Sequence, residues 1–274
     1  MKDRIFSSVV IGFITVVAIF NNWTFIAVQL ALTIGALYEF FYLTKKKGIP
    51  IYSYTGILVG CFIPISTFMR FAPTKGWELL FVVLVLLTIF LMQFTREDND
   101  KALIGISTTL FGILYVSWFF SFLIKIRFLL PGIAGVKLLG FIILVTKAGD
   151  VGALLVGSSI GKHPLLPRIS PKKTIEGCLG SFGASMLVAF LSRSLLPVEA
   201  GFTVSQIILM GAFFGGIGQL GDMSESLIKR DFNVKDSGKM LPGLGGALDL
   251  IDSLLFSGPA FYFYMCSVLK TVSL

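Results

Sequence analysis

The residues best suited to chemistry lie together near the C-terminus, between positions 226 and 252. There, a chain with only 14% charged residues gathers basic side chains, glycines and carboxylates into one short stretch. The basic side chains can neutralise phosphate groups, and they are Lys229, Arg230, Lys235 and Lys239. Because so apolar a chain places charge sparingly, this density predicts a binding site for a triphosphate.

The same stretch carries groups suited to a metal ion bound together with phosphates. Gly245 and Gly246 allow backbone amides to approach phosphate oxygens closely. Asp249 and Asp252 are three residues apart, which places both carboxylates on one face of a helix. Asp222 ends the preceding helix, and carboxylates from two helix ends, Asp222 and Asp249, are predicted to hold Mg²⁺. No GxxxxGK[ST] segment occurs, so this is not a Walker A loop.

A second basic segment, SPKKTIEG, begins at Ser170 and precedes an apolar run. Lys172 and Lys173 are expected at the depth of the lipid headgroups, and Ser170 or Thr174 can cap the helix that follows. Two interpretations stay open. The lysines either anchor the chain on the inner side of a membrane, or they form a phosphate site at the start of a helix.

Two further sets of residues stand out within apolar segments. Lys147 and Asp150 are three apart on one helix face, and charges at this depth usually pair with each other or line a wet cavity. Both outcomes stay open, a structural ion pair and a wall of the substrate cavity. Asp222, Ser226 and Arg230 follow at intervals of four and stack along one face. The same helix has a thin face for close helix packing, made by Gly211, Gly215, Gly216, Gly218 and Gly221.

The composition predicts the elements that position these residues, namely those of an all-α polytopic integral membrane protein. Of the 274 residues 55% are hydrophobic, the mean hydropathy is +0.88, and the apolar runs approach the roughly 20 residues of a bilayer-spanning helix. The first run resembles a signal peptide but lacks a small-residue cleavage site, so it is interpreted as an uncleaved helix. About nine spans are predicted, at about 5–20, 24–44, 51–71, 77–94, 102–124, 138–157, 177–196, 205–224 and 248–268.

Charge predicts the orientation of these spans. With the N-terminus in the cytoplasm, most of the 23 Lys and Arg residues fall on the cytoplasmic side, as do the polar loops 161–176 and 228–247. An active-site cavity is therefore expected to open on the cytoplasmic face. The net charge of +8 is attributed to these loops and to anionic lipids rather than to nucleic acid. Residues 1–135, with about five helices, are expected to be scaffold, and residues 136–274, with about four, to be catalytic.

The pattern SxxKRxxxxKDxGxxLPGxGGxxDxxD, which begins at Ser226, closely resembles the signature of the phosphatidate cytidylyltransferase (CDP-diacylglycerol synthase) family. The SPKKTIEG segment and Asp150 resemble a second region of that family, and the likeness is specific over about 145–255. The family usually has histidine at the position of Leu244 and arginine at the position of Leu250. Roles of that histidine and arginine are therefore not transferred to this chain.

The resemblance implies that CTP and phosphatidic acid give CDP-diacylglycerol and pyrophosphate in a Mg²⁺-dependent homodimer of the bacterial inner membrane. Catalytic roles are assigned to Asp222, Asp249, Lys229 and Arg230. Metal-binding roles, with Mn²⁺ as an alternative ion and a second cation near the last two residues, are assigned to Asp222, Asp249, Asp252 and Asp150. Substrate-binding roles are assigned to Ser170, Lys172, Lys173, Thr174, Ser226, Lys235, Asp236, Lys239, Gly245, Gly246 and Lys147.

Two other functions stay open at this point. A CTP-dependent lipid kinase of the dolichol or phytol kinase type shares these ingredients, but it needs a base to deprotonate its alcohol substrate. An ion-coupled transporter would use Lys147, Asp150 and Asp222. Transporters often show two related halves, however, whereas here the unusual charge is concentrated in one half.

Overall fold

The computed structural model shows an almost entirely helical protein. It describes residues 2–71, 73, 76–97, 99–234, 237–238 and 245–272. The α-helices are α1 (Lys2–Phe20), α2 (Asn22–Lys46), α3 (Ser53–Phe68), α4 (Trp77–Phe94), α5 (Ala102–Gly112), α6 (Phe119–Arg127), α7 (Ile133–Ile160), α8 (Ile175–Leu191), α9 (Val204–Asp231) and α10 (Ala247–Val272). A π-helical turn, Ile113–Trp118, joins α5 to α6, and two short 3₁₀ turns, Arg193–Leu195 and Val198–Ala200, follow α8.

Each predicted span overlaps one of these helices, with α5, the π-helical turn and α6 forming the fifth. Within the described ranges, the helices that are long and apolar enough to cross a membrane are Asn22–Lys46, Trp77–Phe94, Ala102–Arg127, Ile133–Ile160 and Val204–Asp231. Two shorter apolar helices are Ser53–Phe68 and Ile175–Leu191. The protein is therefore an all-α, multi-pass membrane protein, while the number of crossings and their orientation stay predictions.

One departure from the all-α prediction lies in the basic loop 161–176. Pro164–Leu166 (β1) and Ser170–Thr174 (β2) form an antiparallel hairpin with an irregular register. The Ile169 N–H donates to the Leu166 carbonyl at 3.1 Å and closes the turn. Strands this short carry no alternating pattern of apolar and polar residues, so nothing in the sequence indicates a hairpin here. Because β2 leads directly into α8, the hairpin positions the second basic segment.

The first of two compact units comprises residues 1–124 and 236–248. Its central helix is α2, which packs against α3 and the π-helical turn. Phe40 and Phe41 of α2 are buried. Nearer the start of the same helix, the Gln29 amide donates to the Phe120 carbonyl at 2.7 Å. One face of α2 is therefore packed against protein, while Ile34 and Tyr38 on another face are exposed.

The second compact unit comprises residues 125–235 and 249–274. Here α7 packs on α8, and α8 packs on α9, through small residues. A Cβ atom at Gly152 of α7 would lie 2.6 Å from the Gly180 carbonyl oxygen of α8. One at Gly211 of α9 would lie 2.7 Å from the Ser185 carbonyl oxygen. The backbones are thus in direct contact, as the glycine pattern of α9 predicts.

Candidate active site

Three carboxylates meet where the end of α9 passes the start of α10. Asp222 and Glu225 lie about one turn apart on α9, and Asp252 lies in the second turn of α10. One oxygen atom from each carboxylate lies within 4.8 Å of the other two. Glu225 is fully buried and Asp252 is 7% exposed, so these side chains are withdrawn from water. Carboxylate oxygens at this spacing fit a hard divalent cation, which prefers oxygen ligands.

Lysines contact this cluster from two directions. The Lys229 ammonium donates to Asp249 Oδ1 at 2.6 Å, and it also forms an ion pair with Glu225, one turn before it on α9. The Nζ atom of Lys173 lies 2.7 Å from Asp222 Oδ2. Lys173 belongs to β2, whereas Asp222 belongs to α9. The two basic segments singled out from the sequence therefore converge on one group of carboxylates.

The ion pair of Lys147 and Asp150, with both side chains half-buried, adjoins the same cluster. The Lys147 ammonium donates to Asp150 Oδ2 at 3.0 Å and to Ser253 Oγ at 2.8 Å, and the Ser253 hydroxyl donates to Asp150 Oδ2 at 2.9 Å. The Ser253 N–H in turn donates to Asp252 Oδ1 at 2.5 Å. The ion pair that the sequence allowed is present, and it also forms part of the surroundings of the carboxylate cluster.

Two glycines of α9 allow the helices to approach closely enough to form the cluster. A Cβ atom at Gly218 would lie 2.8 Å from the side chain of Thr146 on α7. A Cβ atom at Gly221 would overlap the Asp252 carbonyl and would lie 3.1 Å from the Ser253 Cα atom. Larger residues at either position would push α9 away from its neighbours. Gly221 therefore sets the distance between α9 and α10, which carry the carboxylates, and Gly218 sets that between α9 and α7.

The hairpin connects the second basic segment to the end of α9. The Thr174 hydroxyl accepts the Gly177 N–H at 3.1 Å and caps α8, as the sequence predicts. The Arg230 Nε–H donates to the Ile169 carbonyl in the hairpin turn at 3.1 Å. Lys172 lies on β2 and is exposed. The bond from the Arg230 side chain to the Ile169 carbonyl thus ties the hairpin, with its basic side chains, to the end of α9.

The other predicted substrate-binding residues have the following positions. Ser170 begins β2, and Ser226 is buried in α9. Gly245 adopts a φ of +96°, a conformation that favours glycine. Gly246 is buried just before α10. Lys235, Asp236 and Lys239 lie outside the described residues. For all of these, contact with a substrate stays a prediction.

Sequence reasoning missed two residues of the cluster, Glu225 and Ser253. A signal for Glu225 exists, because it lies three residues after Asp222 and four before Lys229, so the helical period places all three on one face. No comparable signal exists for Ser253. A serine in an apolar helix is common, and only the packing of α7 against α10 makes it a partner of Asp150.

Comparison with known proteins identifies the family. The profile of the cytidylyltransferase family matches residues 2–268. The chain belongs to the cytidylyltransferase family. This cytidylyltransferase is 32% identical to the phosphatidate cytidylyltransferase of Bacillus subtilis over 272 residues, 97% of each chain. It is 30% identical to that of Synechocystis over 303 residues (99% of this chain, 98% of the relative) and 29% identical to that of Thermotoga maritima over 266 residues (96% and 95%).

Family membership makes the protein a nucleotidyltransferase. It also confirms the resemblance that the signature between residues 226 and 252 indicates. The matches span nearly the whole chain, so they include the N-terminal helices, for which the sequence pattern alone gave no specific likeness.

Proposed function

We propose that this cytidylyltransferase converts CTP and phosphatidic acid into CDP-diacylglycerol and pyrophosphate. The observation that carries the proposal is the convergence of buried carboxylates with lysines from two separate segments, in a helical membrane protein. Such a site suits a reaction between two anions, one of them a lipid. The names of three relatives that match over almost their full length support the same conclusion.

The chemistry of the reaction fits the kinds of residue present. A phosphate oxygen of phosphatidate attacks the α-phosphorus of CTP and forms the new P–O bond. The bond between the α-phosphorus and the oxygen bridging to the β-phosphate breaks, and pyrophosphate leaves. The attacking phosphate is already an anion, so no strong general base is required. The difficulty is to bring two anions together, and catalysis then consists of positioning and charge neutralisation.

The basic residues divide between the two substrates. Lys229, which is held in place by Glu225 and Asp249, is assigned with Arg230 to the triphosphate of CTP. Lys235 and Lys239 are assigned to the same group on the basis of the signature. The exposed Lys172, on the hairpin, is assigned with Lys173 to the phosphate of phosphatidate. In this arrangement CTP binds on the side of α9 and phosphatidate binds on the side of β2.

The carboxylates are assigned to Mg²⁺, with Mn²⁺ as an alternative ion. Asp222, Glu225 and Asp252 fit such an ion by their spacing. When bound, the ion would neutralise charge on the phosphate oxygens and on the pyrophosphate leaving group. Asp249 and Asp150 stay predicted ligands, the latter for a second cation. In the structure, Asp249 Oδ1 accepts from Lys229, and Asp150 Oδ2 accepts from Lys147 and Ser253.

Location and assembly complete the proposal. The bias of Lys and Arg along the sequence supports a site that opens to the cytoplasm, where CTP is made, in a bacterial inner membrane. A homodimer is proposed from the family resemblance.

A product analysis tests the proposed reaction. The purified protein in detergent micelles is incubated with phosphatidate, Mg²⁺ and CTP labelled at either the α- or the γ-phosphate, and the lipids are separated by chromatography. We expect label from the α-phosphate in the lipid fraction and none from the γ-phosphate. Transfer of the γ-label to phytol or dolichol in a parallel reaction would instead indicate a lipid kinase. Absence of any CTP-dependent lipid product would refute both activities.

A further inference from the structure

Glu39, a carboxylate on α2, binds residues on both sides of the glycine-rich part of the signature. Glu39 is 6% exposed. Its Oε2 atom accepts the Ser237 hydroxyl at 2.9 Å and the Leu248 N–H at 3.0 Å, and its Oε1 atom accepts the Ala247 N–H at 2.9 Å. All of these residues belong to the first compact unit. One side chain thus holds two parts of the signature that are ten residues apart in sequence.

Two of these hydrogen bonds come from the start of a helix. Ala247 and Leu248 are the first residues of α10, and N–H groups at this position have no partner within the helix. A carboxylate satisfies them and also interacts favourably with the positive end of the helix dipole. Capping groups usually come from the residue just before the helix, but here Glu39 lies 208 residues away from Ala247. The start of α10 is therefore determined by α2.

The glycines of the signature leave room for this carboxylate. A Cβ atom at Gly238 would lie 2.7 Å from the Glu39 Cδ atom, and one at Gly246 would overlap both carboxylate oxygens. A larger residue at either position would displace the Glu39 carboxylate from where it now lies. Gly246, predicted above to bring its amide to a phosphate, thus has a second role that needs no substrate.

A buried carboxylate is retained only if its charge is compensated. Leaving a charged group unpaired in the interior is strongly unfavourable, and hydrogen bonds from N–H and O–H donors offset that cost. Among the residues that the structure describes, the three donors to Glu39 all come from the signature itself. Replacing the carboxylate by an amide would turn one of its two acceptor oxygens into an NH₂ donor, so at least one of the three donors would lose its acceptor.

We infer that Glu39 is a positioning residue for the nucleotide site. It fixes the first turn of α10, which contains Asp249, the partner of Lys229. The inference rests on the proposal that Lys229 and the signature bind the triphosphate of CTP. A residue that only stabilised the fold would lower the unfolding temperature and leave the affinity for CTP unchanged. Substitution of a positioning residue changes the kinetic constants for CTP, while the KM for phosphatidate stays nearly constant.

The test compares Glu39→Gln with the wild-type enzyme in detergent micelles, by measuring kcat and KM separately for CTP and phosphatidate. Glutamine keeps the size of the side chain but replaces one carboxylate oxygen with an NH₂ group, which cannot accept a hydrogen bond. We expect kcat/KM for CTP to fall about tenfold or more, as for the loss of hydrogen bonds to a charged group. We expect KM for phosphatidate to change less than about threefold. Unchanged CTP kinetics in a folded Glu39→Gln protein would overturn the inference.

Gln29→Leu provides the matched control. Gln29 is also a buried polar residue of α2, but its amide donates to Phe120, outside the signature. We expect a lower unfolding temperature with wild-type KM for CTP. An equal rise of KM in both variants would overturn the inference, since it would trace the effect to the stability of α2.

Two more variants separate the remaining outcomes. If Glu39→Gln does not fold, Glu39→Asp decides, because it keeps the carboxylate but draws it back by one methylene from the N–H groups of Ala247 and Leu248. A KM for CTP that rises more than the KM for phosphatidate supports the inference, and wild-type kinetics overturn it. Asp249→Asn is measured in parallel. Full activity in Asp249→Asn would overturn the proposed site and the inference with it, whereas inactive Asp249→Asn beside normal Glu39→Gln overturns the inference alone.

Discussion

At the scale of single residues, the carboxylates of the candidate site are close together and partly withdrawn from water. Asp222, Glu225 and Asp252 each place one oxygen atom within 4.8 Å of the other two, and Glu225 and Asp252 are buried. Crowding buried carboxylates is costly unless a cation lies between them, so this spacing favours the assignment of Mg²⁺ to the cluster.

Asp222→Asn and Glu225→Gln test that assignment. Each substitution removes a negative charge and an oxygen ligand with little change in size. We expect kcat/KM to fall roughly 100-fold or more, in the range found when a preorganised electrostatic contact is removed from an active site. We also expect the Mg²⁺ concentration for half-maximal activity to rise. The measurement is a Mg²⁺ titration of initial rates after treatment with EDTA.

The matched control for these variants is Glu199→Gln. Glu199 is exposed and lies in a short 3₁₀ turn apart from the cluster. It should have a wild-type rate and Mg²⁺ dependence. Near-normal activity of both Asp222→Asn and Glu225→Gln would rule out these residues as metal ligands.

At the scale of elements, small residues determine the geometry of the second unit. Gly152 of α7 contacts α8, Gly211 of α9 contacts α8, and Gly221 of α9 contacts α10. Each contact brings backbones together, so helix positions are set to within the size of a methyl group. The spacing of the carboxylates on α9 and α10 therefore depends on this packing.

Gly152→Ala tests this dependence. Its Cβ would lie 2.6 Å from the Gly180 carbonyl oxygen, so α7 and α8 must separate. We expect the protein to lose about 1–3 kcal/mol of stability through overpacking, measured as a lower unfolding temperature in detergent. Gly183→Ala is the control, because a Cβ at Gly183 meets nothing within 4 Å, and alanine there should be neutral or slightly stabilising. Equal unfolding temperatures for the two variants would contradict this account of the packing.

At the scale of the whole molecule, the distribution of charge predicts which face of the membrane the site occupies. The hairpin loop is rich in Lys and Arg, and the positive-inside rule places it in the cytoplasm. The same rule places Lys137, at the start of α7, on the opposite side. Both CTP and the inner leaflet are then accessible to the carboxylates of α9 and α10.

Cysteine labelling tests the predicted orientation. Single cysteines are introduced as Lys162→Cys in the hairpin loop and Lys137→Cys in α7, both at exposed positions, after replacement of the native cysteines Cys61, Cys178 and Cys266 by alanine. We expect a membrane-impermeant maleimide to label Lys162→Cys in inside-out vesicles and Lys137→Cys in right-side-out vesicles. Each variant therefore serves as the control for the other. The reverse pattern would place the site on the outer face and contradict the proposed access of CTP.

The sequence by itself determined the helical membrane class, the approximate helix bounds and the family. The first two follow from the length of apolar runs, which is a local property. The family follows from a motif whose residues are close together in sequence. The spacing of Lys147 and Asp150 on one helix face allowed an ion pair as one of two open interpretations, and the structure contains it, since the helical period alone brings the two side chains together.

Only the tertiary structure decided which distant residues meet. Lys173 reaches Asp222, Ser253 binds Asp150, and Glu39 caps α10, each across a long separation in the chain. No local period encodes such pairs, because they depend on how closely helices pack, and that distance is set by glycines such as Gly221. The hairpin before α8 was also beyond prediction, because pairing between two short strands leaves no pattern in either one.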